Sequence, residues 1–235
     1  MHTSIATRPH AVIFDLDGTL LDSIHDIAFC ANAVLSELGL PPHSVDDYKR
    51  LVGDGFLNLA RKILPETHRS PEAISRYIDR YRELYRTRWN HSSYAYPGIA
   101  ELLNELVQQN ILLAVLSNKR DDFTKRCVEW YFPGVPFKEV RGERTGTPIK
   151  PDPTSALEIA QTLGVSPSAC FFVGDSEIDI NTAINAGMTA IGVLWGFRPR
   201  HILEEAGATR LISTPADLLA ATHAASSPDP MQDKD

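Results

Sequence analysis

Apolar positions along the chain follow two different periods. Residues 11–15 form a short apolar run closed by Asp15, the pattern of a strand buried on both faces. Similar runs recur at residues 111–116, 170–173 and 189–194. Between them lie helical patterns at residues 99–109, 122–130, 153–163 and 178–186. Alternating strand and helix predicts an α/β fold, a parallel sheet with helices on both faces. The interval from residue 23 to 96 breaks the alternation and reads as entirely helical, with Gly39 as a stop before Pro41 and Pro42 and another break near Pro65. Ser70, Pro71 and Glu72 combine an N-cap, a first-turn proline and an early acid. The helix they start carries Ile74, Tyr77, Ile78, Tyr81, Leu84 and Tyr85 on one stripe. Its arginines, Arg76, Arg80, Arg82, Arg86 and Arg88, fall mostly elsewhere and read as a solvated face; the sharper alternative is that one of them reaches a substrate anion. The expected organisation is a core from residues 1–21 and 97–223, a helical domain over 22–96, and a disordered tail over 224–235.

The 235 residues, 43% of them hydrophobic, suffice for one sizeable α/β core with a small accessory domain. The formal net charge is −7, and it is unevenly placed. Residues 22–95 hold 10 Lys/Arg against 10 Asp/Glu, so the remaining 13 against 20 carry the whole excess. An acidic balance argues against nucleic acid as a partner, because phosphate neutralisation needs clustered Lys and Arg. An acidic core that handles an anionic phosphate needs a cation to mediate. Cys30, Cys127 and Cys170 have no metal-ligand spacing and read as small buried hydrophobes of a reducing compartment. Residues 1–9 lack the apolar run of a signal peptide, and no stretch approaches the ~20 apolar residues of a membrane span. The expectation is a cytoplasmic protein without a membrane partner, monomeric or homodimeric.

The unusual polar residues fall where the predicted strands end. Asp15 closes the first, with Asp17, Gly18 and Thr19 in the turn after it. Ser117 and Asn118 close the strand that begins at Ile111. Gly174, Asp175 and Ser176 follow Val173, with Asp179 one helical turn farther on, and Lys150 sits in a loop that opens a helix. In open parallel sheets ligands bind outside the carboxyl ends of the strands, so four segments deliver polar groups to one place. Asp15, Asp17, Asp175 and Asp179 would repel one another unless a cation sat among them. Hard oxygen ligands suit Mg²⁺, which keeps several waters and accepts substrate phosphate. Asp is an established nucleophile in phosphoryl transfer, and a second acid two residues on can protonate the leaving oxygen and then activate water. Ser117 and Lys150 are natural donors to the transferring phosphoryl oxygens. Each feature alone reads as an ordinary turn, cap or surface residue; the ordered set does not.

Phe14 to Leu20 (FDLDGTL), Leu116 to Lys119 (LSNK), Lys150 to Pro153 (KPDP) and Val173 to Asp179 (VGDSEID) resemble, in order, the four motifs of the haloacid dehalogenase superfamily. Ala186 and Gly187 also fit. The resemblance implies a Rossmann-like core with a helical cap inserted after the first strand. It implies Asp15 as nucleophile and metal ligand, and Asp17 as general acid and base that lends its backbone carbonyl to the metal. Asp175 would be a metal ligand supported by Asp179, with Ser117, Lys150, Asn118 and Thr19 around the phosphate. Asp17 separates this chain from the dehalogenase branch, which lacks that acid, and from the phosphonate-cleaving branch, which typically has Ala there. The strings LDS at 21–23, VGDG at 52–55 and VLWGFR at 193–198 are similar to phosphoglycolate phosphatases. The resemblance therefore implies hydrolysis of a small phosphorylated metabolite, with 2-phosphoglycolate as the best single substrate. Pyrophosphate or sugar phosphates, a β-phosphoglucomutase-like isomerase and a non-catalytic scaffold are the alternatives. Gly53 and Gly55 read either as a break between cap helices or as a substrate-facing loop, and Arg198 is given no role.

Overall fold

The computed structural model describes residues 8–224; the tail expected beyond residue 224 lies outside them. β1 (Ala11–Phe14) is followed by a short β2 (Leu21–Asp22). Four helices come next: α1 (Ile24–Glu37), α2 (Val45–Leu51), α3 (Phe56–Ile63) and α4 (Pro71–Arg88). β3 (Tyr94–Ala95) returns and pairs antiparallel with β2. The rest alternates: α5 (Ile99–Gln108), β4 (Leu112–Arg120), α6 (Asp121–Tyr131), β5 (Glu139–Glu143), α7 (Thr154–Leu163), β6 (Cys170–Gly174), α8 (Glu177–Asn185), β7 (Thr189–Val193), α9 (Arg200–Glu205), β8 (Arg210–Ile212) and α10 (Pro215–Ala224).

The main sheet has the order β5-β4-β1-β6-β7-β8 with every neighbouring pair parallel. β1 is central, and side-chain alternation splits it between two cores. Val12 and Phe14 pack with α5, α6 and the inserted helices, whereas Ala11 and Ile13 pack with α7 and α8. The chain builds outward on one side of β1 through β4 and β5, then crosses to β6. The carboxyl end of β1, flanked by β4 and β6, is therefore the switch point of the sheet.

Three features depart from the sequence pattern. The segment from 22 to 96 is not wholly helical, because β2 and β3 form a two-stranded ribbon where it leaves and rejoins the sheet. β4 does not stop at Leu116 but continues to Arg120, with a register shift between Leu116 and Arg120. That irregularity releases Ser117, Asn118 and Lys119 from the regular ladder and re-aims their side chains, a common use of bulges. β5, β8, α9 and α10 lacked a clear apolar signature. β5 reads EVRGE, a charged edge strand whose charges discourage pairing with another chain.

The inserted helices hold to the sheet by aromatic side chains. In α4, Ile74, Tyr77, Ile78, Tyr81 and Tyr85 are buried and Leu84 partly so, as the stripe predicts. Ser70 caps the helix by accepting from Ala73 N–H. Tyr81 stacks near Phe56 of α3 and Tyr85, and Tyr85 meets Phe123 of α6 edge to face, a continuous aromatic run from insertion to core. All three cysteines are free and buried. No helix among the described residues is long and apolar enough to cross a membrane.

Candidate active site

Three carboxylates converge at the carboxyl end of β1. Asp15, Asp175 and Asp179 each place an oxygen within 4.8 Å of the others, and all three are buried. Asp15 is held by its position, since its N–H continues the ladder to Val173 of β6 at 2.9 Å. Asp175 follows β6 directly and accepts Phe197 N–H at 2.7 Å. The space around it admits no side chains from Gly18 or Gly196, because a Cβ on either would collide with the Asp175 carboxylate. Gly18 also has φ +87, a turn conformation that glycine takes at no steric cost.

Asp179 does two jobs. One oxygen closes the capping box of α8, accepting Ser176 N–H at 3.1 Å and Ser176 Oγ at 2.6 Å. The other accepts Lys150 Nζ at 2.6 Å. Lys150 Nζ also lies 2.8 Å from Asp15 Oδ1. This contact is an ion pair, and Asp15 Oδ1 has no hydrogen-bond partner among the described residues. Asn118 fixes the lysine loop: its amide donates to Lys150 O and its carbonyl accepts Lys150 N–H, both at 2.9 Å. The same amide donates to Gly53 O in the insertion at 2.9 Å.

The electrostatics call for a cation. Three carboxylates and one ammonium leave a formal charge of −2 in a buried volume. Burial raises the Asp15 carboxyl from 3.8 to about 7; Lys150 opposes the rise and Asp179 adds to it. Asp175 is pushed well above the carboxylate range by burial and by Asp179 and Asp15. Burial alone would lower Lys150, but Asp15 and Asp179 outweigh it and hold the ammonium above the ordinary lysine range. Hard oxygen donors, excess negative charge and an unbonded buried oxygen suit a divalent metal ion.

Asp17 stands apart from that trio. Its carboxylate accepts Ser23 Oγ at 2.5 Å and Lys119 Nζ at 3.0 Å on each oxygen. Lys119 in turn donates to Tyr85 Oη of α4 at 2.7 Å. Burial would lower the Lys119 ammonium, and the charge of Asp17 more than restores it. Asp15, Asp17, Ser117, Asn118 and Asp175 line one cavity, whose opposite wall is the insertion. Thr19 is fully buried behind the turn, off that wall, with no partner for Oγ1 among the described residues.

Sequence reasoning passed over Lys119 and Arg198. Lys119 stood inside the LSNK string, and only tertiary structure supplies its partners. Arg198, buried and on the cavity wall, donates to Glu177 at 3.1 Å, to Lys49 O and to Val52 O at 2.7 Å. It thus ties the core to carbonyls at the end of α2. Gly53 and Gly55 lie on the wall, so the break between α2 and α3 also faces the cavity.

A family model described as haloacid dehalogenase-like hydrolase matches residues 12–193. A phosphoglycolate phosphatase of Pseudomonas putida is 32% identical over 199 residues, 81% of this chain and 71% of that protein. One from Aquifex aeolicus is 32% identical over 79% of this chain and 85% of its own length. The crystal structure of a predicted phosphoglycolate phosphatase from Haemophilus somnus superposes with a TM-score of 0.86 at 26% identity, covering 92% of this chain and 99% of that one.

Proposed function

The chain belongs to the haloacid dehalogenase-like hydrolase family, and we propose that it is a cytoplasmic Mg²⁺-dependent phosphatase acting on a small phosphomonoester, 2-phosphoglycolate first among them. The observation that carries the reading is the buried trio Asp15, Asp175 and Asp179 beside Lys150, of which Asp15 and Asp175 line the same cavity as Asp17. The names of the relatives in Pseudomonas putida and Aquifex aeolicus support the substrate.

In this reading Asp15, Asp175 and the backbone of Asp17 would hold Mg²⁺, with Asp179 in support. Bound there, the ion neutralises charge between carboxylate and phosphate and polarises the phosphoryl oxygens. The Asp15 carboxylate attacks phosphorus, and an aspartyl phosphate forms as the bond to the leaving oxygen breaks. Asp17 gives that oxygen its proton. It then takes a proton from the water that attacks the acyl phosphate, releasing inorganic phosphate and restoring Asp15. Ser117, Lys150 and the Asn118 N–H hold the phosphoryl oxygens, while Thr19, off the cavity wall, packs behind the turn that carries Asp17. Ser23 and Lys119 orient the Asp17 carboxylate, and the aromatic side chains of the insertion exclude water from the reacting atoms.

The test is phosphate release from 2-phosphoglycolate, pyrophosphate, sugar phosphates and nucleotides, each with Mg²⁺ and with EDTA. Metal-dependent release, fastest from 2-phosphoglycolate, is the expected result. Silence across the panel would refute the phosphatase reading.

A further inference from the structure

Four cationic side chains line the cavity: Arg82, Lys119, Arg120 and Arg198. Three of them are committed. Lys119 Nζ is shared between Asp17 and Tyr85. Arg120 presents its Nε and Nη2 edge to Asp122 at 2.8 and 2.7 Å. Arg198 spends Nε, Nη1 and Nη2 on Glu177, Lys49 O and Val52 O. Arg82 differs. A single nitrogen, Nη1, meets Asp79 one turn back at 3.2 Å, a solvent-facing pair of little strength. Its Nε is buried and has no partner among the described residues. The Nε and Nη2 edge, the fork that takes a carboxylate in two parallel bonds, is therefore unused.

The other arginines of α4 have different duties. Arg76 and Arg86 face solvent, Arg80 is bonded to Glu37 and Glu83, and Arg88 lies over the Phe29 ring. Arg82 is the α4 arginine that lines the same cavity as Asp15 and Ser117. The side chain is 38% exposed, but a buried guanidinium N–H left without an acceptor on a cavity wall marks a place that a ligand acceptor completes. The surrounding wall is apolar and aromatic, with Phe56, Leu59, Tyr81 and Phe123. The half-buried Glu143 lies near enough that the charges of Arg82 and Arg120 partly offset the burial that raises its carboxyl.

We propose that Arg82 is the specificity-determining residue of this site, receiving on its free fork a carboxylate carried by the leaving group of the substrate. The inference rests on the phosphatase reading and narrows it: the substrate class is a short phosphomonoester with a carboxylate close to the ester oxygen. Phosphate binds at the acidic end of the cavity, and the carboxylate binds at Arg82 on the otherwise apolar wall of the insertion.

The experiment compares 2-phosphoglycolate with ethyl phosphate, which lacks the carboxylate, in Mg²⁺, for the wild-type protein and for Arg82→Met and Arg82→Lys. Loss of a bidentate charge-assisted contact corresponds to a fall of about 10- to 100-fold in kcat/KM. Arg82→Met is expected to show that fall on 2-phosphoglycolate, chiefly in KM, and to keep ethyl phosphate within about 2-fold. Arg82→Lys, which keeps the charge but not the fork, is expected to fall between. Equal losses on both substrates would overturn the proposal in favour of a packing role, and so would unchanged kinetics on both. Metal-dependent turnover of ethyl phosphate by the wild type, with no preference for 2-phosphoglycolate, would overturn it while leaving the phosphatase reading intact. Turnover of neither compound would overturn both.

Discussion

The two walls of the cavity are built on opposite principles. The sheet wall is polar, and its geometry follows from strand ends: Asp15 after β1, Asp175 after β6, Ser117 at the irregularity of β4. The helical wall is apolar and aromatic, with single polar atoms reaching through it: Tyr85 Oη to Lys119, Gly53 O to Asn118, and the carbonyls at the end of α2 to Arg198. One wall is rigid because parallel strands on both sides lock it. The other is carried on helices joined by loops and held to the sheet by aromatic packing and a few polar cross-contacts. Chemistry is best placed on the first and selection on the second.

Removing the nucleophile or the acid from the sheet wall should have the largest effect. Asp15→Asn and Asp17→Asn are each expected to lower kcat by at least ~1,000-fold with circular dichroism unchanged. A near-normal rate in either would break the assignment of chemistry to this wall. Lys150→Met comes next, because the lysine is 3% exposed and compensates Asp15 and Asp179. Leaving buried charges unpaired costs about 3–5 kcal/mol, so a clear loss in denaturant midpoint is expected alongside lost activity. An unchanged midpoint would mean that the carboxylates do not depend on Lys150.

A smaller effect should appear in stability against pH. The Asp15 carboxyl is raised from 3.8 to about 7 in the folded protein. Between those values the folded state keeps a proton that the unfolded state has lost, so stability falls as pH rises through that window. Mg²⁺ opposes the fall by binding the deprotonated form. The Tm of protein in EDTA is therefore expected to decline from about pH 4 to about pH 7, and the gain from Mg²⁺ to widen over the same range. A Tm that rises with pH in EDTA would contradict the charge balance of the trio. The least disruptive change is on the helical side. Arg198→Met removes the clamp on Lys49 O and Val52 O, and hydrogen exchange is expected to quicken over residues 49–55 while the sheet stays protected. Equal protection in both regions would show that the insertion does not rely on that clamp.

The same contrast explains what the sequence made legible. Asp15 and Asp175 stand where an apolar run meets a turn, so strand pattern alone places them at one end of a sheet. Asp179 follows from a helix start one turn away, and the α4 stripe follows from its period. Ser117 and Asn118 were found, but the strand carrying them was cut short at Leu116, since a polar bulge has no periodic signature. β5 was missed because an edge strand of charged residues resembles a loop. Lys119 and Arg198 were passed over because their partners lie far off in the chain, Asp17 and Tyr85 for one and Lys49 and Val52 for the other. Long-range pairs of this kind depend on how the insertion docks, and local pattern carries no record of it.

The measurement that bears most directly on the chemistry is a rapid acid quench of the wild-type protein turning over radiolabelled 2-phosphoglycolate in Mg²⁺, followed by peptide mapping. Label on the peptide containing Asp15, released by hydroxylamine and absent both in EDTA and in Asp15→Asn, is the predicted result. Phosphate released at full rate with no label on Asp15, or label that persists in Asp15→Asn, would contradict it.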